Sequence, residues 1–133
     1  MFDVSVNGII RVTRGDSFTT PLFINKGTDL CPLRYELNNG EYVYFGLMEP
    51  NYSFEEAIVR KKYSNADFNE NDDIVITFDS IDTINWRPGK YYYEVKAVLL
   101  DENEKEIVNT IIPRREFWIL WIIKVIFLIF MGN

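Results

Sequence analysis

The chain has 133 residues, 47% of them hydrophobic, and a formal net charge of −6 at pH 7; that length supports one core burying about two thirds of the unfolded surface without disulfides or metals. The acidic balance argues against nucleic acid as a partner, because affinity for phosphate backbones needs clustered Lys and Arg. Histidine is absent, which excludes Ser-His-Asp triads, Cys-His dyads and His-based zinc sites.

Met1-Phe2-Asp3-Val4 places an acid where a signal peptide carries basic residues, and no apolar stretch of that kind follows, so export by that route is not expected. Phe2, Val4 and Val6 precede Asn7-Gly8, and Ile10 and Val12 follow it, a period-2 pattern that predicts a hairpin or one strand bent at Gly8. Arg14-Gly15-Asp16 supplies the next turn; as an integrin-recognition triplet it is too short to mean adhesion. Ser17 to Asn25 alternates as a strand, and Pro21 assigns it to an edge or a bulge because proline has no N–H for a central ladder. Lys26-Gly27-Thr28-Asp29 turns into a short segment ending at Tyr35 and Leu37. Within it Cys31, the one cysteine, lies among Leu30, Pro32 and Leu33 and reads as a small buried hydrophobe with no base to activate it. With no disulfide available, a reducing cytoplasm is the default compartment of folding.

Asn38-Asn39-Gly40 turns the chain into Tyr42 to Met48, apolar on both faces and therefore expected as a central strand between two packed layers. Glu49-Pro50-Asn51 ends it; Glu55 to Lys61 fits a helical or a strand period, and Ala57 to Tyr63 is read as the next strand, with Arg60-Lys61-Lys62 as its solvated edge. Asn69-Glu70-Asn71-Asp72-Asp73 is acidic but lacks the alternating oxygens, sixth-position Gly and twelfth-position Glu of a calcium loop, so a solvated turn is expected. Ile74 to Phe78 is a strand, Ser80 to Thr83 a short turn or helical turn, and Pro88-Gly89 opens the long strand Tyr91 to Leu99. Pro88, Gly89 and Tyr91 together suit a tyrosine corner, in which the Tyr91 hydroxyl ties the strand to an upstream backbone group. The acidic run Asp101 to Glu106 then joins a hairpin to Ile107–Ile111; its carboxylates share one exposed loop and cannot face each other across a cleft as a glycosidase pair must.

Short strands with a turn every eight to twelve residues predict an all-β fold, an immunoglobulin-like antiparallel β-sandwich of seven to eight strands over residues 1–120. The remainder, residues 121–133, is a hydrophobic C-terminal tail. From Phe117 to Met131 Lys124 is the only polar side chain, yet a helix of that length reaches only about 22 Å, short of a ~30 Å hydrocarbon core. Three readings of the tail stay open. Phe117 to Leu120 completes the last strand of the sandwich and the remainder docks on a partner or a neighbouring copy, with Trp118, Trp121, Ile122, Phe127 and Phe130 as the interaction residues. The tail anchors the domain in a membrane through residues 117–131, flanked by Arg114 and Arg115 with the tryptophans at the interface. Or it is an extension with no selected role, which would leave an aggregation-prone run exposed.

The order Arg14-Gly15-Asp16-Ser17-Phe18, Ile58-Val59-Arg60-Lys61, Ile74-Val75-Ile76 with Asp82-Thr83, Pro88-Gly89-Lys90-Tyr91-Tyr92-Tyr93-Glu94-Val95, and Thr110-Ile111-Ile112-Pro113 with Phe117 resembles small immunoglobulin-like bacteriophage virion proteins. These are similar to the N-terminal domain of baseplate upper proteins. The resemblance spans about residues 8 to 120 and implies a noncatalytic structural or adaptor protein of the baseplate, tail or head, made in the bacterial cytoplasm and carried in the virion. It implies other virion proteins as partners, leaves a homo-oligomer open, and brings no cofactor, metal or catalytic residue. The chain departs from that family in having no downstream fibre, stalk or receptor-binding domain. A membrane-tethered β domain held by its tail is the alternative.

Overall fold

The computed structural model of the chain describes residues 2–5, 7–23, 36–71 and 73–121. Strands β1 (Phe2–Val4), β2 (Ile10–Thr13), β3 (Phe18–Phe23), β4 (Tyr42–Met48), β5 (Val59–Tyr63), β6 (Asp73–Phe78), β7 (Gly89–Leu100) and β8 (Glu106–Leu120) carry the fold, with one short helix, α1 (Ser80–Ile84), between β6 and β7. They form a curled six-stranded sheet in the order β1-β2-β8-β7-β4-β5 and a two-stranded sheet of β3 and β6.

The N-terminal alternation resolves as a hairpin: Gly8, at φ 82°, donates its N–H to the Ser5 carbonyl, and Phe2 pairs with Val12. Only glycine takes that φ without strain. Pro21 lies in β3, whose only ladder partner among the described residues is β6. Tyr42–Met48 does sit centrally, between β5 and β7. Its two faces differ, however. Val43, Phe45 and Leu47 are buried in the core, whereas on the other side Tyr42 and Tyr44 are half-buried and Gly46 and Met48 are buried. Apolarity on both faces therefore marks a strand with one core face and one aromatic outer face. In the ambiguous stretch after Asn51, Phe54–Glu56 is a 3₁₀ turn and the strand starts at Val59. Ser53 donates both its N–H and its hydroxyl to the Glu56 carboxylate to close that turn.

Two expectations need correction. The large sheet is mixed rather than antiparallel, because β2 runs parallel to β8 with Ile10 opposite Phe117 and Thr13 opposite Leu120. Alternation along a strand records which face is buried and is blind to the direction of the neighbour. After Arg14-Gly15 the chain leaves for the small sheet, and the edge of β8 receives β2 in the direction the connection leaves. The last hairpin strand, read as Ile107–Ile111, does not stop there, and it takes in Phe117–Leu120 as the first reading of the tail expects. It continues as one strand to Leu120, and the register shifts opposite Tyr93, Val95 and Lys96 absorb Pro113, which has no N–H for the ladder. Compared with the expected sandwich, the observed architecture is mostly β with one curled mixed sheet and one small sheet.

The core fills the space between the sheets. Phe78 on β6 is its hub, with ring centroids 5.0 Å from Phe18, 5.8 Å from Phe45, 5.4 Å from Trp86 and 6.2 Å from Phe117. Edge-on and offset arrangements of this kind add to the stabilisation from burial alone. Tyr93 stacks on Phe45 at 5.6 Å and donates its hydroxyl to the buried Gly8 carbonyl at 2.5 Å, tying β7 to the N-terminal hairpin. Burial holds the Tyr93 phenol above its ordinary pKa, so it stays a donor.

Candidate functional site

Cross-strand register builds the outer face of the large sheet row by row, since residues directly opposite each other share a face. One row sets Lys62 of β5, Tyr44 of β4 and Lys96 of β7 side by side, and the next sets Arg60, Gly46 and Glu94. Further along the same face, Met48 is opposite Tyr92, Tyr92 opposite Glu116, and Lys90 opposite Trp118. The result is a face of tyrosine, tryptophan and long cations.

Each cation lies against a ring. Lys62 Nζ is 3.7 Å from the Tyr42 ring centre, Lys90 Nζ 5.6 Å from Tyr92 and 5.8 Å from Trp118, and the Arg114 guanidinium 5.3 Å from Tyr92. Arg60 and Lys96 both sit 5.0 Å from the Phe54 ring. Such contacts hold long side chains in place at partly exposed sites. Glu94 takes Arg114 Nε at 3.2 Å and Lys96 Nζ at 3.9 Å, and Glu116 accepts from Trp118 Nε1 at 2.9 Å. Glu55 stands at the rim. Its own backbone N–H first, then the Ser53 hydroxyl and more weakly the Lys96 and Arg60 charges, hold its carboxyl below the ordinary value. Arg60, Lys62, Lys90, Lys96 and Arg114 thus outnumber the three carboxylates on a chain whose net charge is −6.

Phe54 shapes the middle of this face. Gly46 leaves the outer side of β4 empty, and the Phe54 ring fills the gap so closely that a Cβ at Gly46 would lie 2.5 Å from Phe54 Cε2. Beside it is an open groove of about 240 Å³ lined by Tyr44, Phe54, Glu55, Arg60, Lys96, Val98 and Val108.

Of the residues singled out in the sequence, Trp118 belongs to this face and Trp121 is 68% exposed just past the end of β8. Ile122, Phe127, Phe130, Cys31 and the expected turn and segment from Lys26 to Tyr35 lie outside the described residues. Phe117–Leu120 pairs with β2, and Phe117–Ile119 also pairs with β7 on the other side. No helix among the described residues is long and apolar enough to cross a membrane.

At the Pro88-Gly89 turn, the Tyr91 hydroxyl donates to the Arg87 carbonyl at 2.6 Å, four residues upstream as in a tyrosine corner. Burial first, then nearby Glu49, pushes its ionisation up. The cleft beside it, about 260 Å³, is lined by Glu49, Pro50, Arg87, Pro88, Gly89, Lys90 and Tyr91. The Arg-Gly-Asp turn is held to α1: Gly15 N–H donates to Thr83 Oγ1 at 2.9 Å, Thr83 Oγ1 to the Asp16 carbonyl at 3.0 Å, and Arg14 Nε to the Ile84 carbonyl at 2.6 Å. Asn69 and Asp101 each accept two backbone N–H groups in their own loops, which accounts for both acidic clusters as turns. Among the described residues no group of three or more metal-ligating side chains converges.

Sequence reasoning missed the groove and most of the outer face. The signal was present in the period-2 sets Tyr42/Tyr44, Arg60/Lys62 and Lys90/Tyr92/Glu94/Lys96. Arg60-Lys61-Lys62 in particular is split between faces, with Lys61 turned the other way, 4.7 Å from the Phe78 ring.

Fold and face together define a mostly β domain whose large sheet carries an aromatic, cation-rich outer surface. No protein-family model, no curated protein and no solved structure matches the chain.

Proposed function

We propose that this protein is a noncatalytic structural or adaptor protein of a bacteriophage particle that docks on other virion proteins through the outer face of its large sheet. The observation that carries the docking role is the composition of that face. Tyr92, Trp118 and Arg114 lie together on it, and tyrosine, tryptophan and arginine are the residues on which protein interfaces concentrate their binding energy. The virion setting rests on the resemblance of the strand-and-turn segments from Arg14 to Phe117. An immunoglobulin-like reading of the fold supports it: β4, β7 and β8 take the places of strands C, F and G, and β3 and β6 those of B and E, with Tyr91 at the corner entering F. The attachment of β2 to the C-F-G layer is this chain's departure from the seven-stranded arrangement.

Mass spectrometry of purified particles beside host membranes from the same lysate tests the reading. Recovery in particles at a fixed copy number, lost when Tyr92 and Trp118 are both changed to Ala, is the expected outcome. Recovery in membranes alone would overturn it in favour of the tail-anchored domain.

A further inference from the structure

We propose that the groove beside Phe54 binds an extended acidic segment of a partner protein, which places an apolar side chain on Phe54 and a carboxylate over Tyr44 between Lys62 and Lys96. This rests on the docking reading above and names the chemistry of the partner.

Register supplies the geometry. Lys62 and Lys96 flank Tyr44 in one row across three adjacent strands, so their backbones stand about 10 Å apart on either side of it, with Lys62 Nζ 6.0 Å from the Tyr44 ring centre. A carboxylate between them would meet both ammonium groups over a surface that already excludes water on one side. The groove floor is apolar, with Phe54 8% exposed and Val108 58% exposed. Glu55 also lines the groove and feels the Lys96 and Arg60 charges, Arg60 Nη2 donates to the Phe54 carbonyl at 3.0 Å, and Lys96 Nζ lies 3.9 Å from Glu94. Arg60, Lys62 and Lys96 thus face two carboxylates, Glu55 and Glu94, which leaves the groove net positive, and charge complementarity selects an acidic occupant. A nucleic acid fits less well, since the net charge of −6 repels a long polyanion while a short segment meets only the local field.

A randomised heptapeptide library on beads, incubated with the full-length protein, tests this. Selected peptides should place Asp or Glu two positions from an apolar residue, the spacing that puts both on one side of an extended chain. A resynthesised peptide should bind about tenfold more tightly than its Asn/Gln counterpart, and Lys62→Glu with Lys96→Glu should abolish the difference. Lys62→Ser with Lys96→Ser, which keeps the surface polar without reversing charge, should give an intermediate loss at an unchanged melting temperature. Selection without acidic enrichment, or equal binding by the charge-reversed protein, overturns the proposal. So does tighter binding of an oligothymidylate, or a Lys96-dependent rise in mass with concentration that identifies a second copy as the occupant. If the charge variants still enter particles while the Tyr92/Trp118 variant does not, the acidic partner is wrong and the docking face stands. If the Tyr92/Trp118 variant also enters particles, the docking reading itself falls.

Discussion

Removing a single oxygen, by Tyr93→Phe, measures how firmly the N-terminal hairpin is held to the large sheet. The ring is retained, and with it the stacking on Phe45 and the edge contact with Phe117. What is lost is the hydroxyl that donates to Gly8, a buried residue whose backbone is at φ 82° and is covered by the Arg115 side chain. A buried carbonyl left without a donor costs about 1–3 kcal/mol. With 133 residues and an unfolding entropy of about 2.1 cal/mol/K per residue, that converts to a fall of about 4–11 °C in melting temperature. Tyr92→Phe, on the half-exposed outer face, is the control and should stay within about 0.5 kcal/mol of the parent. Urea unfolding of both variants, followed by far-ultraviolet circular dichroism, reads the difference. The alkaline limb gives a second readout. Burial raises the folded pKa of Tyr93 above its ordinary 10.0, so its contribution is complete below about pH 10 and is lost as pH rises through the folded value. Tyr93→Phe should therefore flatten the loss of stability above pH 10. Tyr63, pushed up to about 12 by burial and by Asp67, and Tyr91 supply the slope that remains. A Tyr93→Phe protein as stable as the parent, with an unchanged alkaline limb, would refute the hairpin tether.

The acid limb belongs to Glu41, which is 5% exposed and accepts the Leu100 N–H at 2.8 Å and the Asn38 N–H at 2.7 Å. Those two bonds, Leu100 first, hold its pKa below the ordinary 4.5; its stabilisation is therefore present above that value and lost as pH falls through the folded one. Glu41→Gln should weaken the fold by about 1–2 kcal/mol at pH 7 and reduce the dependence of stability on pH below 4.5, read by urea titration across pH 3–7. Thr83→Val strands the Gly15 N–H and the Asp16 carbonyl and should cost about 1–3 kcal/mol in thermal unfolding. Gly46→Val drives a side chain into the Phe54 ring, and should quench peptide binding at the groove along with a loss of about 1–3 kcal/mol from overpacking. Phe78→Ala, at the ring hub, should cost about 3–5 kcal/mol. Tyr92→Ala with Trp118→Ala should cost clearly less while removing the protein from particles, which separates binding from folding.

Turn chemistry made much of the fold legible. Gly8, Gly15 and Gly40 sit at φ between 82° and 88°, and each falls where an Asn-Gly or Arg-Gly pair interrupts an alternating run. The β6 and β7 segments were readable because β-branched and aromatic residues alternate there without a break. Strand direction was not readable, since Ile10 and Val12 would alternate identically beside a parallel or an antiparallel β8. Pro113 removes a ladder donor, and two shifts of register let the strand pass through it. The groove depends on Phe54 reaching Gly46, a meeting of a 3₁₀ turn with a strand eight residues earlier that no periodicity encodes. Trp118 was visible as a large aromatic near the end of the chain, but its place beside Lys90 needed the β7–β8 register.

The parallel pairing of β2 with β8 also decides how the domain answers to force. Tension applied on the N-terminal side of Ile10 and the C-terminal side of Leu120 pulls these two strands along their axes in opposite directions. The rungs from Ile10/Phe117 to Thr13/Leu120 are then strained together in shear. The β1–β2 hairpin, by contrast, opens one rung at a time like a zipper, because its antiparallel rungs are met in sequence. Stretching a single molecule should first release the few residues of β1 at low force and then meet one abrupt, high-force rupture at β2–β8. A domain strung this way acts as a mechanical fuse with a short slack in front of it.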